Sequence, residues 1–174
     1  SGNATTTGSQ TVQGSLLLTA MTAGSVLFAG NNGAVSQDNN HFFWDSANGR
    51  LGVGTTTPTA NLAVNGFTQL GMNSPAIKMA FVTGTTANYQ GGCSNQSLPN
   101  ELSPSKIISV VGQVEWAGGG TNAWMPMGMG VFGGYQADWY MDNGTPPTVN
   151  VCNASSNSSN VLNAGWRLFI TYME

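Results

Sequence analysis

The sequence predicts an all-β protein in two parts: a short-stranded, intertwined oligomeric stalk over residues 1–75 and an antiparallel β-sandwich head, jelly-roll-like, over residues 76–174. Three observations predict it. Charged residues make up only 6% of the 174-residue chain, against about 25% in an ordinary soluble domain, so the Glu-, Lys- and Arg-coated faces of long helices are missing. Gly, Ser, Thr and Asn take their place; Ser, Thr and Asn compete for backbone hydrogen bonds, and Gly loses the most freedom in a helix. The apolar residues, 40% of the chain, fall in two textures that change near Pro75.

In the first texture each apolar run is three residues long and bounded by Gly, Asn or Thr. The runs are Leu16-Leu17-Leu18, Val26-Leu27-Phe28, Phe42-Phe43-Trp44 and Leu62-Ala63-Val64, each long enough for a short strand and too short for a helix. Gly14-Ser15-Leu16-Leu17-Leu18 and Gly24-Ser25-Val26-Leu27-Phe28 form a two-copy repeat. Asn31-Asn32-Gly33, Asp38-Asn39-Asn40, Asn48-Gly49 and Thr57-Pro58 supply turns. Such strands leave open edges, and their sparse apolar groups cannot offset the chain's own conformational entropy. Wrapping three copies around one axis removes the difficulty, because the apolar side chains of each copy then meet those of the others. The competing reading is a disordered linker; Phe28, Phe42, Phe43 and Trp44 count against it.

From Ala76 the runs lengthen and alternate with period two, the pattern of a half-buried strand. Lys106–Trp116 places Ile108, Val110, Val114 and Trp116 on one face. Tyr135–Met141 places Tyr135, Ala137, Trp139 and Met141 opposite Gln136, Asp138 and Tyr140. Trp166–Tyr172 places Trp166, Leu168, Ile170 and Tyr172 opposite Arg167, Phe169 and Thr171. With large apolar groups on both sides, this last strand is expected at the centre of a sheet or at a subunit interface. Gly118–Gly130, Asp142-Asn143-Gly144, Pro146-Pro147 and Asn153–Asn160 read as loops.

The formal net charge is −3, with Arg50, Lys78, Lys106 and Arg167 as the only lysines and arginines. A nucleic-acid groove needs several phosphate-neutralising cations, so no nucleic acid is expected as partner. No apolar run approaches the roughly 20 residues that span a bilayer, so no membrane insertion is expected. The opening Ser1-Gly2-Asn3 lacks the basic and apolar regions of a secretory signal, and the natural chain can extend N-terminally. Cys93 and Cys152 do not make a disulfide framework. They could pair, but two separate thiols are the expectation for a protein folded in a reducing cytoplasm.

The stretch Gly24–Val64 resembles a recurrent segment of phage tail-fibre and tail-spike proteins. The residues that carry the resemblance are Gly24–Phe28, Gly33–Asn39, Phe42–Asp45, Asn48–Thr55, Thr57-Pro58 and Leu62–Val64. Most specific is Arg50–Pro58, similar to the family's LGIGT…P…LhV pattern, with Ala63 where His or Asp is frequent. A second resemblance, to the terminal head of some phage fibres, rests on Lys106–Val110, Ser159–Leu162 and Arg167–Tyr172. That head usually ends in an ITYE-like strand, whereas Met173 here intervenes before Glu174. Together they imply a homotrimer on a virion surface, as tail fibre or vertex spike. Its N-terminal end would join other virion proteins, and its head would lie outermost against a host-cell glycan or protein receptor.

Catalytic chemistry is poorly supplied, and no enzyme activity or cofactor is expected. His41 is the sole histidine, and no Gly-x-Ser-x-Gly elbow accompanies it; a surface role is the plainer reading. No zinc spacing is present. Asp38 with Asn39 and Asn40 reads as a capped turn. Asp138 and Asp142 could serve as a glycosidase pair or calcium ligands, but polar strand-face residues account for them as well. Binding chemistry is richer. The head holds four of the five tryptophans and all four tyrosines. Trp116, Trp139 and Trp166 are in phase with the core, which leaves Trp124, in the Met-rich Gly118–Gly130 loop, as the first receptor-contact candidate, with Tyr89, Tyr140 and Asn122 behind it. A weak glycan site repeated on three copies raises avidity by about 10²–10⁴. A secreted bacterial lectin or adhesin, or a polysaccharide depolymerase, are the alternatives.

Overall fold

The computed structural model describes residues 7–9, 11–100, 102–116, 123–128, 133–144 and 146–174. Among them are thirteen β-strands, two single-turn 3-10 segments and no α-helix, so the chain is all-β with several mainly antiparallel sheets. It divides into two compact units, Ser1–Asn65 and Gly66–Glu174.

In the first unit, β1 (Leu27–Ala29) and β2 (Val35–Gln37) form an antiparallel hairpin. The Asn31–Gly33 turn closes it, with Asn32 in the left-handed region that Asn tolerates. β3 (Phe42–Asp45) pairs antiparallel with β4 (Arg50–Val53), and β4 pairs parallel with β5 (Leu62–Val64). The β3–β4 turn is built by Asp45, whose carboxylate accepts the amides of Ala47 and Asn48 and the Asn48 side-chain amide. The Arg50–Pro58 stretch is a tight local structure. A side chain on Gly52 would run into the Thr55 carbonyl, Gly54 has φ +71, and the Arg50 guanidinium donates to the Pro58 carbonyl at 3.1 Å.

Leu16–Leu18, expected as a strand, is irregular. β1 has a hairpin partner returned to it by Asn31–Gly33; Leu18 instead leads into a turn closed by the Met21 amide on its carbonyl, and no described strand pairs with Leu16–Leu18. Among the described residues of this unit, only Gly52 and Pro58 are buried, whereas Leu16, Leu17, Leu27, Phe28, Val35, Trp44, Val53, Leu62 and Val64 are exposed.

The second unit has a five-stranded sheet in the order β10-β9-β13-β7-β6 and a three-stranded sheet in the order β11-β12-β8. The strands are β6 (Thr68–Gln69), β7 (Ala76–Thr85), β8 (Cys93–Ser97), β9 (Ile107–Trp116), β10 (Ala123–Pro126), β11 (Ala137–Asp142), β12 (Thr148–Asn153) and β13 (Gly165–Met173). Gly66–Pro75 belongs to this unit because β6 pairs with the start of β7. β13 is central, flanked by β7 along its whole length and by β9. The sheets share one core: Val82, Trp166, Leu168, Ile170 and Tyr172 from one, Val149 and Val151 from the other, closed by Leu98 and Leu102. Trp166 lies on Gly84 directly across the ladder and donates its indole N–H to Ser94 Oγ at 3.2 Å, which satisfies the donor that burial would otherwise strand.

Two sequence expectations for this unit need correction. Ile108 does not share the inward face with Val110 and Val114. The β9–β13 register shifts between Thr171 and Tyr172, so Ile107 faces Tyr172 while Ile108 is left half exposed at the bulge. Cys93 and Cys152 are not separate thiols but a disulfide, because strand pairing sets them directly opposite each other. The compartment in which a chain folds carries no information on which strands pair.

Candidate functional site

The three-stranded sheet presents its outer face as a polar platform. Along β11, Ala137, Trp139 and Met141 turn to the core, and Asp138, Tyr140 and Asp142 therefore turn outward. β12 repeats the alternation: Val149, Val151 and Asn153 are buried while Thr148, Asn150 and Cys152 face out. Strand pairing aligns these outward residues in three rows, Asp138–Cys152–Cys93, Tyr140–Asn150–Asn95 and Asp142–Thr148–Ser97. Tyr140, 54% exposed, thus has two carboxylates along its own strand and two side-chain amides across the sheet. Beyond the Asp142 row lies an open cleft of about 440 Å³. Asn100, Ser103, Pro104, Asn143, Pro146 and Pro147 contribute to its walls.

This arrangement can hold a ring by its apolar face and bond the hydroxyls around it, since Tyr supplies a rigid apolar surface with a polar tip and Asn both donates and accepts. The rows contain no Lys or Arg. Two carboxylates without a cation repel an anionic ligand, so an uncharged or cationic ligand is the electrostatic match.

The sequence-derived contact residues do not converge on one place. Tyr140 is on the platform. Tyr89 is exposed in the loop before β8; Asn153 pins this loop by donating its side-chain amide to the Ala87 and Tyr89 carbonyls at 2.8 and 3.1 Å. Trp124 is on the other sheet, in strand β10 rather than a loop, paired with Glu115. The Arg167 guanidinium covers one face of its ring, 3.9 Å from the centroid, so that face is closed to a sugar. Asn122 lies outside the described residues.

Asn95 and Asn150 escaped the sequence reading. The alternation Thr148-Val-Asn-Val-Cys152 was visible, but a partner strand on Asn95 has no local signal. Asp138 and Asp142 stand four residues apart on one strand, their Cα atoms about 13 Å apart. Among the described residues, no group of three or more His, Cys, Asp or Glu could hold a metal ion. His41 is an exposed turn residue, its ring nitrogen 2.8 Å from Asp38. That bond, with the amides of Asn40 and His41, holds the Asp38 carboxyl below its ordinary range. No family model, curated protein or solved structure matches the chain.

Proposed function

We propose that this chain is part of a virion fibre or spike, a homotrimeric stalk with a jelly-roll-like head, that attaches to host cells by multivalent binding of a surface glycan. The observation that carries the reading is the first unit. It has ordered strand ladders and a motif-rich turn, yet among its described residues Pro58 is the only buried side chain. Two- and three-stranded sheets without a core are not stable alone in water. Their exposed Leu, Val, Phe and Trp side chains need cover, and copies of the same chain supply it with the correct register. The resemblance of Gly24–Val64 to phage fibre stalks points the same way, and the Tyr140 platform supplies the receptor chemistry.

The test has two readouts on the full chain. Sedimentation equilibrium should give a trimer; a stable monomer would refute the stalk. Labelled protein should adsorb to host cells, and Tyr140→Ala with Asn150→Ala should weaken adsorption by roughly 10- to 100-fold as a few-fold loss per site compounds over three copies. Unchanged adsorption of that variant would remove the platform from the proposal.

The disulfide favours a second reading, a secreted lectin or adhesin, because such bridges persist in oxidising compartments; virion surfaces are among those compartments too. The genes beside this one separate the two readings, since capsid and packaging genes belong only with the first.

A further inference from the structure

The outer face of the five-stranded sheet has the opposite character to the Tyr140 platform. On β13, Arg167, Phe169, Thr171 and Met173 alternate outward from the buried Trp166, Leu168, Ile170 and Tyr172. Pairing extends them sideways. Val111, Phe169 and Phe81 form one row across β9, β13 and β7, and Ser109, Thr171 and Met79 form the next, followed by Met173 beside Ile77. Phe81 and Phe169 pack ring to ring at 4.9 Å. Yet Phe81 is 59% exposed, Met79 67% and Val111 55%. Met173 and Trp124 are exposed as well, so the face is a contiguous open apolar patch of the kind that marks an association site.

We infer that this face packs against copies of the same chain, with Phe81, Phe169 and Val111 at the centre of the contact. The charges at its border suit a copy of itself. Arg167 donates to Gln113 at 2.7 Å and stacks on Trp124, while Glu115 lies in the neighbouring row. At the β10 end the border thus carries one cation and one carboxylate, so the Arg167 of one copy can meet the Glu115 of another without like-charge repulsion. The aromatic centre and Arg–Trp rim match the composition of association surfaces. This contact is additional to any made by residues 1–65, and it rests on the homo-oligomer reading only in its choice of partner.

A photo-crosslinking amino acid at position 81 of the full chain tests the inference, with Met79 as a second probe position and Tyr140 as control. Irradiation should give covalent oligomers from positions 81 and 79 that map to residues 107–116 or 165–173 of another copy, at least 10-fold above the yield from position 140. Phe81→Glu should weaken association at least 10-fold while leaving the fold intact, because the side chain is mostly exposed within one chain. Crosslinks confined to one chain, or equal yields from positions 81 and 140, would overturn the inference. If sedimentation still gave a trimer, the fibre reading would survive that outcome; a monomer would remove both.

Discussion

Removing the Cys93–Cys152 bridge should destabilise the second unit without changing its folded structure. In the β8–β12 ladder, Asn153 donates its amide to the Gly92 carbonyl, which makes 92 and 153 a hydrogen-bonded pair. The neighbouring pair, 93 and 152, is therefore non-hydrogen-bonded, the kind in which facing side chains come closest; the Cα atoms are 4.0 Å apart. The bridge spans 59 residues, a loop that contains β9, β10 and β11. Closing such a loop in the unfolded chain removes roughly 14 cal/mol/K of entropy, about 4 kcal/mol at room temperature. Because the effect acts through the unfolded state, Cys93→Ala/Cys152→Ala should keep its near-UV spectrum. Urea unfolding followed by tryptophan fluorescence reports mainly on this unit, which holds four of the five tryptophans. With a slope of about 2 kcal/mol per molar urea, the midpoint should fall by about 2 M. Two equivalents of reactive thiol in the unreduced, unfolded protein would refute the bridge. A midpoint unchanged within about 0.5 M would refute the entropic account.

Two further predictions concern the first unit. Gly52→Ala should lower the stability of the Arg50–Pro58 structure by about 1–3 kcal/mol, because its methyl group would meet the Thr55 carbonyl, whereas Gly66→Ala, with nothing within 4 Å, is the control; equal thermal melts of the two variants would refute this account of the motif. Acid should loosen the turns at 38–41 and 45–48. Hydrogen bonds from the His41 and Asn48 side chains hold the Asp38 and Asp45 carboxyls below 3.8, so their stabilisation is complete above that pH and is lost as pH falls through the lower folded values. The Asn40 and Ala47 amide resonances should titrate with midpoints below 3.8, and a midpoint at or above it would show that the bonds are absent in solution.

Period-two patterning made the inward faces of β11 and β13 readable, since a strand's side chains alternate whatever it pairs with. The same rule failed for Ile108, where one extra residue at a bulge reverses the phase and leaves no mark in composition. Surrounding glycines and methionines suggest a loop at Trp124; pairing with β9 makes it a strand. The Tyr140 platform was half legible. Tyr140, Asp138 and Asp142 share a strand and therefore a parity, but Asn150 joins them only through the β11–β12 pairing, 10 residues on, and Asn95 only through a pairing with Asn150 that spans 55 residues of chain.

The sequence by itself determined what is local: an all-β chain, the turns at Asn31–Gly33, Asp38–Asn40 and Asn48-Gly49, the alternation within each strand, and a first unit too poor in clustered apolar residues to form a core. Tertiary structure alone decided what pairing decides. It placed Cys93 opposite Cys152, gathered the polar rows beside Tyr140, and left Phe81, Phe169 and Val111 together on an open face. Alternation is a property of a single strand, whereas register belongs to two strands at once, and no residue carries a local signal for the partner it will meet.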